Sequence, residues 1–333
     1  MKSAVCKELE AGSAEALRPL LEGSSYKPLR YLKDVPPQHI CDWWQEEVDA
    51  VLGGPGGVAF VAEVDGQPAG FCVLGDLPWE SGILGKRMAA IKHMAAISVK
   101  EDAATLQALV GRALQHSRDS GYDFLLCKTY TDESAKVHAL EREGFLLVDT
   151  LLDFVVDLRL FPHAFQPVPV IPEDAELRIA VKADRAGLVE VSRKAFAAHF
   201  GRFHSDSRLG PEWGRTIYER WIESCLDGWA DWIVVAEVAG RIAGYSAWKL
   251  PSEREARHHL GLGHYSIGTI HPDFYGRGLF SALTQKGAAL LDGLVTRIEG
   301  PTHVNNFPVH RGYHKLGWRI EDAHHSFHRW LTL

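Results

Sequence analysis

A glycine-rich turn in the last quarter of the chain carries the clearest chemical signal in this sequence. A β-rich stretch at 264–270 runs into Gly276-Arg277-Gly278, and apolar residues then follow with the spacing of a helix that buries one face. A turn at a helix start exposes backbone N–H groups, which attract an anion together with the helix dipole. The two glycines let that backbone approach a diphosphate closely, and Arg277 can add a charged contact. An ordinary strand-to-helix turn has the same spacing, so this motif alone does not decide between the two.

A second feature downstream supplies side chains that could act on a ligand held by the turn. Pro308 suits the first turn of a helix and Gly317 its end. Asn306 and Tyr313 lie seven residues apart and therefore share one face of that helix. The Tyr313 phenol is a potential proton donor. Asn306 can orient a ligand or simply cap the helix.

The elements that position these residues occur twice. Residues 61–71 (VAEVDGQPAGF) match 235–245 (VAEVAGRIAGY) at seven of eleven positions, and each segment reads as a β-hairpin. In each half a strand, a helix, a second strand, a second helix and a closing strand follow. Two of these strands have bounds that the sequence indicates in both halves. The first is at His93–Val99 and His264–Ile270, and the closing one is at Leu151–Leu158 and Ala323–Leu331. The order predicts an α/β (α+β) chain of two related domains, each a mixed, mostly antiparallel sheet flanked by helices.

Composition shifts suggest where the domains meet. Residues 1–50 precede the repeat and are expected to form a helical extension, and 51–160 form the first domain. Residues 161–175 contain four prolines and no helical period, which predicts an extended linker. Residues 176–333 form the second domain.

Strand, glycine turn, Asn306 and Tyr313 follow one another in the order found in the GNAT acyltransferase family, which this chain resembles. The resemblance implies two GNAT-like domains in tandem and covers both halves in architecture, whereas the motifs are specific to residues 264–318. The chain departs from the family's glycine signature at two positions. Tyr275 stands where the family usually has Gln or Arg, and Phe280 stands where it usually has Gly or Ala. The main-chain donors do not depend on those side chains.

A narrower resemblance is to the acetyltransferases that N-acetylate TDP-fucosamine, a 4-amino-4,6-dideoxy sugar nucleotide. It rests on the glycine turn, Asn306 and Tyr313 together with four segments: Leu77–Ser81 (LPWES), Phe200–Asp206 (FGRFHSD), Trp221–Glu223 (WIE) and His325–Trp330 (HSFHRW). This similarity spans about residues 75–333 and is loose outside the motifs.

The family resemblance assigns roles to individual residues. Tyr313 would protonate the leaving thiolate, and the backbone around Gly268–Ile270 would hold the thioester carbonyl. The residues expected to bind acetyl-CoA, or another acyl-CoA, are Gly268, Thr269, Ile270, Tyr275, Gly276, Arg277, Gly278, Leu279, Phe280 and Asn306. The general base is left open among His264, His271, Glu237 and a water chain.

The amine acceptor is expected near a polar and aromatic patch before and within one predicted helix. Its members are Arg202, His204, Tyr218 and Trp221; a cation there could hold a diphosphate while an aromatic ring stacks on a base or sugar. A solvated loop with local ion pairs would have the same composition.

The first half lacks this equipment. The counterpart of the glycine turn is 101–109 (EDAATLQAL), which has no glycine and begins with two acids that would repel a diphosphate. Alignment of the second helices places Glu133 opposite Asn306 and Leu140 opposite Tyr313. We therefore expect the first domain to be non-catalytic.

Bulk properties exclude several other classes of protein. A formal net charge of -7 argues against a broad nucleic-acid surface, and no apolar run is long enough to cross a membrane. Five scattered cysteines predict neither a disulfide framework nor a zinc site. His310 and His314 have metal-ligand spacing but lack further ligands, so no metal is expected. With no signal-peptide pattern, the sequence predicts a cytoplasmic protein, and it leaves a homodimer open.

Together these features predict an acyl-CoA-dependent N-acyltransferase, with acetyl-CoA as the expected donor and the primary amine of an amino-sugar nucleotide as the expected acceptor. Two alternatives stay open at this point. One is a GNAT acetyltransferase for another small amine, such as an amino acid or an antibiotic. The other is a non-catalytic acyl-CoA-binding or scaffold protein.

Overall fold

Two compact units make up the computed structural model, which describes residues 4–10, 12–97, 102–162 and 169–332. Unit 1 comprises Met1–Asp149, Arg257–Leu260 and His324–Leu333, and unit 2 comprises Thr150–Ala256 and Gly261–Ala323. The closing strand of each half of the sequence thus belongs to the unit formed by the other half.

Unit 1 is a six-stranded mixed sheet with helices. Its strands are β1 (Val5–Glu8), β2 (Val58–Val64), β3 (Gln67–Asp76), β4 (Met88–Ala96), β5 (Phe124–Tyr130) and the latter part of β12 (Arg319–Trp330), in the order β1-β2-β3-β4-β5-β12. The pair β4 and β5 is parallel and the other neighbours are antiparallel. Its helices are α1 (Arg18–Gly23), α2 (Pro37–Leu52), α3 (Pro78–Leu84), α4 (Asp102–Asp119) and α5 (Ser134–Arg142).

Unit 2 repeats this plan. Its strands are β7 (Ala175–Ile179), β8 (Trp232–Val238), β9 (Arg241–Lys249), β10 (Leu262–Ile270), β11 (Arg297–His303) and the latter part of β6 (Leu146–Asp157), in the order β7-β8-β9-β10-β11-β6. Only β10 and β11 are parallel. Its helices are α6 (Arg185–Ala195), α7 (Arg202–Ser205), α8 (Pro211–Ser224), α9 (Glu253–Arg257), α10 (Leu279–Leu291) and α11 (Phe307–Lys315). The predicted mixed, mostly antiparallel sheets are confirmed.

The two predicted hairpins form with the same tight turn. Asp65 and Gly66 have φ of +51° and +76°, and Ala239 and Gly240 have +48° and +78°. Two consecutive positive φ values fit a type I′ turn, whose twist matches that of the flanking strands. Each hairpin also has a bulge at the equivalent place, after Ala62 and after Ala236.

Some element bounds differ from those expected. β4 begins at Met88 rather than His93. The sequence pattern missed its first four residues because all of them are buried and show no alternation of polar and apolar residues. The end predicted at Val99 lies outside the described residues, as do 163–168 of the predicted linker. The first fifty residues hold helices as expected but also β1, and α2 continues to Leu52.

In unit 2 the helices cover both faces of the sheet. The Ser246 hydroxyl donates to the carbonyl of Leu283 on α10, whereas the neighbouring Tyr245 lies beside Ser192 on α6. Because successive strand residues point to opposite faces, α6 and α10 lie on opposite sides. None of the helices in the described ranges is both long and apolar enough to cross a bilayer.

Candidate active site

Two parallel strands of unit 2 separate at the predicted cofactor position. β10 pairs with β11 only over Leu262–His264, opposite Arg297–Glu299. On its other side β10 stays paired with β9 through Ile270. Gly268, Thr269 and Ile270 therefore lie on a stretch of β10 whose β11 edge is open, where an extended ligand can add through main-chain hydrogen bonds. We call this gap between β10 and β11 the fork.

The glycine turn lies directly after the open end of β10. Gly276 and Gly278 both have positive φ, +77° and +78°. In the part of the chain that the structure describes, no group accepts a hydrogen bond from the backbone amides of residues 276–280. These donors lie at the positive end of the dipole of α10, which starts at Leu279. The turn therefore fits a diphosphate.

The side chains of the turn leave this backbone accessible. Tyr275 is 60% exposed and does not fill the turn. The Arg277 guanidinium contacts Asp174 at 3.2 Å on the surface. Such an exposed pair is worth little, so Arg277 can exchange it for a phosphate. Phe280 is half-buried and packs on Tyr313, with a ring-centroid distance of 5.7 Å.

Tyr313 occupies the core side of the fork. It is 1% exposed, and its ring stacks on Trp318 at 4.6 Å and packs on Phe154 at 5.0 Å. Its hydroxyl reaches β11: a Cβ placed on Gly300 would lie 2.7 Å from the phenol oxygen. Burial, and to a smaller extent Tyr265, raise the pKa of Tyr313 well above 10. The phenol thus keeps its proton at neutral pH.

Asn306 ties the helix of Tyr313 to the fork. It is the N-cap residue of α11, but its side chain makes no capping bond and instead donates to the Thr302 hydroxyl on β11 at 3.0 Å. In unit 1 the equivalent Glu133 accepts from Thr129 at 2.7 Å. Because the same strand-to-helix tie occurs in both units, this contact holds Asn306 in a positioning role.

The four candidate acceptor residues lie on α7 and α8. Tyr218 is stacked between neighbours, with ring centroids 4.0 Å from Phe196 and 6.2 Å from Trp221. The Trp221 indole donates to Ser266 at 3.2 Å, which places the stack against β10 on the face opposite Tyr313. Arg202 lies over the ring of Phe203, at 4.1 Å.

His204 does not have the positive charge that the predicted contact with a diphosphate would use. Its ring packs on Tyr218, with a centroid distance of 5.8 Å, and burial lowers the pKa of His204. A neutral imidazole cannot attract a diphosphate by its charge. Of the pair, only Arg202 brings a permanent positive charge to the acceptor patch.

Each of the three candidate bases already has a hydrogen-bond or ion-pair partner within the protein. His264 lies between Glu299 at 2.9 Å and Glu255 at 3.0 Å. Burial alone would lower the pKa of His264, but these two carboxylates outweigh burial and raise it to about 10. His271 accepts from the amide of Asp273 at 3.2 Å, and Glu237 pairs with Arg178 at 2.8 Å. His264 is thus protonated at neutral pH and is not poised as a base.

The two histidines with metal-ligand spacing serve other contacts. His310 bonds the carbonyl of His303 at 3.0 Å, and His314 packs on Phe154. Within the described ranges, no three potential metal ligands come together.

Sequence reasoning missed one residue at the fork, Tyr265. It lies on β10 on the same face as Tyr313, is 7% exposed, and its ring centroid is 6.0 Å from that of Tyr313. No sequence signal marked it, because its equivalence to Ile91 follows from the bulges of β10 and β4, which only the structure shows.

In unit 1 apolar side chains take the places of the two tyrosines, and a cavity of about 420 Å³ remains where β4 separates from β5, with Ala95, Ala96 and Glu133 among its lining residues. The parallel pairing of β4 and β5 continues to Ile91 and Cys127, and Leu140 is buried at the place of Tyr313. Of the segment matching the glycine turn, Glu101 lies outside the described residues, and Asp102 already begins α4.

Comparison with solved structures decides the fold. Over 99% of this chain and 99% of the other, the structure superposes on the "Tandem GNAT protein from the clavulanic acid biosynthesis pathway (without AcCoA)", with a TM-score of 0.61 and 15% identity. The chain has the tandem GNAT fold. A second solved structure, a GCN5-related N-acetyltransferase from Sphaerobacter thermophilus, is also similar. The match covers 99% of the present chain and 96% of the S. thermophilus chain, with a TM-score of 0.62 and 16% identity.

Sequence comparison adds one distant relative. This chain is 22% identical over 263 residues to the spore coat polysaccharide biosynthesis protein SpsD of Bacillus subtilis (strain 168), covering 77% of this chain and 82% of SpsD. No protein-family model matches the sequence.

Proposed function

We propose that this protein is an N-acyltransferase that moves an acyl group, the acetyl group in the first instance, from acyl-CoA to the primary amine of a small molecule. Unit 2 provides the site and unit 1 is non-catalytic. The favoured acceptor class is an amino-sugar nucleotide.

The observation that carries the proposal is the joint presence in unit 2 of free turn amides and an open strand edge. The amides at Gly276 and Gly278 suit a diphosphate, and the open edge at Gly268–Ile270 suits an extended arm. Coenzyme A combines those two features in one molecule. In unit 1 β4 and β5 also separate, after Ile91, but the segment matching the glycine turn has no glycine and Leu140 stands at the place of Tyr313.

Acyl-CoA supplies an activated thioester, and the chain's residues do the rest. The turn holds the diphosphate, and the open amides of β10 bind the arm and the thioester carbonyl. As the amine nitrogen bonds to the carbonyl carbon, the carbon–sulfur bond breaks and the sulfur needs a proton. Tyr313 donates that proton, and the proton lost by the amine returns to Tyr313 through water.

The acceptor class rests on two further supports. The relative SpsD is named for polysaccharide biosynthesis, which favours a sugar. The stack of Phe196, Tyr218 and Trp221 can bind the flat face of a base or sugar beside β10, and Arg202 can pair with a phosphate.

The test is a binding and turnover experiment on the full chain. Calorimetry with acetyl-CoA is followed by assays of free CoA release with 4-amino-4,6-dideoxy sugar nucleotides and with simple amino acids and aminoglycosides. We expect micromolar acetyl-CoA binding and turnover with the sugar nucleotides. Turnover only with the other amines would reassign the acceptor, and binding without turnover on any amine would favour an acyl-CoA-binding scaffold.

A further inference from the structure

Tyr265 places a second hydroxyl at the fork. Its oxygen abuts Gly268 so closely that a Cβ on that glycine would lie 1.9 Å away. The hydroxyl therefore occupies space that a side chain at residue 268 would fill. It does so next to the stretch of β10 whose β11 edge is open.

Each of the two tyrosines, Tyr265 and Tyr313, contacts a different strand of the fork. The Tyr265 oxygen lies against Gly268 on β10, and the Tyr313 oxygen lies against Gly300 on β11. Each hydroxyl reaches the backbone because its partner residue has no side chain. The fork thus has one phenol for each of its strands.

Unit 1 shows that packing does not require these hydroxyls. Relative to the bulge and to the second helix, Ile91 stands for Tyr265 and Leu140 for Tyr313. The two glycines are replaced there by Met94 and Cys127, and all four residues are buried in the apolar core of unit 1. Aliphatic side chains fill the same architecture without a polar group.

The Tyr265 hydroxyl has an unused proton. It is buried, and no group in the described residues lies in hydrogen-bond geometry with it, although the Thr284 hydroxyl interacts with it electrostatically. Thr284 lies nearby, but its hydroxyl donates to the carbonyl of Phe280 at 2.8 Å. A buried donor without a partner destabilises a protein, so a hydroxyl held in this state is available to a ligand that enters the fork.

We propose that Tyr265 is a second catalytic residue, whose hydroxyl donates a hydrogen bond to the carbonyl oxygen of the acyl-CoA thioester while Tyr313 serves the sulfur. This inference rests on the proposed function. When the amine nitrogen bonds to the carbonyl carbon, negative charge develops on that oxygen. Tyr265 stabilises the charge without losing its proton, and the charge returns to the carbon as the carbon–sulfur bond breaks.

The experiment compares acetyl-CoA with S-ethyl-CoA, a thioether that lacks the carbonyl. Calorimetry and CoA-release kinetics are run on the full chain, on Tyr265→Phe and on the matched control Tyr245→Phe. Tyr245 is also a buried tyrosine of unit 2, and its hydroxyl lies beside Ser192 on the opposite face of the sheet. We expect Tyr265→Phe to weaken acetyl-CoA binding and kcat each about tenfold, with S-ethyl-CoA binding and thermal stability undiminished. Tyr245→Phe should change neither ligand's affinity.

A second variant guards against misfolding of the first. Gly268→Ala places a Cβ against the Tyr265 hydroxyl and 2.9 Å from the Tyr245 carbonyl oxygen, so it displaces the hydroxyl and shifts β10. We expect a larger loss of affinity for acetyl-CoA than for S-ethyl-CoA. If the parent protein binds acetyl-CoA and both variants bind and turn it over within twofold of the parent, the role of Tyr265 is overturned while the proposed function stands. If the parent binds neither ligand, both proposals fail.

Discussion

At the scale of single residues, unit 2 has polar side chains at core positions where unit 1 has aliphatic ones. Tyr313 is fully enclosed by aromatic rings, and Leu140 holds the equivalent place. The raised pKa of Tyr313 keeps its proton in place at neutral pH, although the same shift makes that proton harder to release. The departing thiolate is the base that the reaction produces.

Replacing Tyr313 by Phe should therefore lower kcat about a hundredfold and leave the affinity for acetyl-CoA within about twofold. The ring packing on Trp318 and Phe154 is retained, so the fold should persist. Steady-state CoA release and calorimetry measure the two effects. Tyr122→Phe in unit 1, which removes a hydroxyl bonded to Asp76, is the control and should cost stability without changing kcat. An unaltered kcat in Tyr313→Phe would assign proton donation elsewhere.

His264 should make unit 2 sensitive to alkaline pH. Its pKa is raised to about 10 by Glu255 and Glu299, so its stabilising effect is fully present below its ordinary pKa of 6.5 and is lost as pH rises through about 10. Urea unfolding between pH 6 and 11 should show this loss in the parent and much less of it in His264→Gln. Parallel curves for the two proteins would contradict it.

At the scale of elements, the site depends on how strands and helices end. β10 and β11 are paired only over Leu262–His264 and Arg297–Glu299 and then separate. The glycine turn follows β10 and leads directly into α10. The open edge and the free amides are thus products of element boundaries rather than of particular side chains. This is why Tyr275 and Phe280 can replace the residues usual in the family signature.

Gly276→Ala tests the turn against a matched control at the other end of α10. Gly276 and Gly293 have φ of +77° and +80°, and at both an added Cβ meets nothing within 4 Å. Each alanine should cost about 1 kcal/mol of stability through backbone strain. Only Gly276→Ala should weaken acetyl-CoA binding, by at least about fivefold, because its Cβ obstructs the diphosphate. Equal affinities in the two variants would remove the turn from the site.

At the scale of the whole molecule, each unit requires both halves of the chain. β6 supplies residues 151–157 to the sheet of unit 2, where it pairs with β11 along its whole length, and β12 supplies residues 324–330 to β5 in unit 1. The fully buried Phe154 of β6 also packs on Tyr313. The candidate catalytic residue is therefore held in place by the first half of the sequence.

A fragment of residues 176–333 should accordingly fail to fold, because β11 would lose its neighbour and Tyr313 its Phe154 contact. Circular dichroism and calorimetry with acetyl-CoA would show no cooperative unfolding and no binding. Co-expression of residues 1–160 with 161–333 should restore both, since each fragment supplies the other's missing strand. Independent folding and binding by 176–333 would contradict the expectation.

The sequence by itself determined the repeat, the hairpins and the order of strand, glycine turn and second helix. These depend on local patterns: paired positive-φ turn residues, apolar periodicity and glycines at an element boundary. It could not determine the exchange of β6 and β12, since strand pairing over long sequence separations leaves no local trace. Nor did reading one half at a time single out Tyr265, a β-propensity residue in a strand. Only the tertiary structure brings its hydroxyl against Gly268 and beside Tyr313, because residues distant in sequence become neighbours when the sheet and its helices pack together.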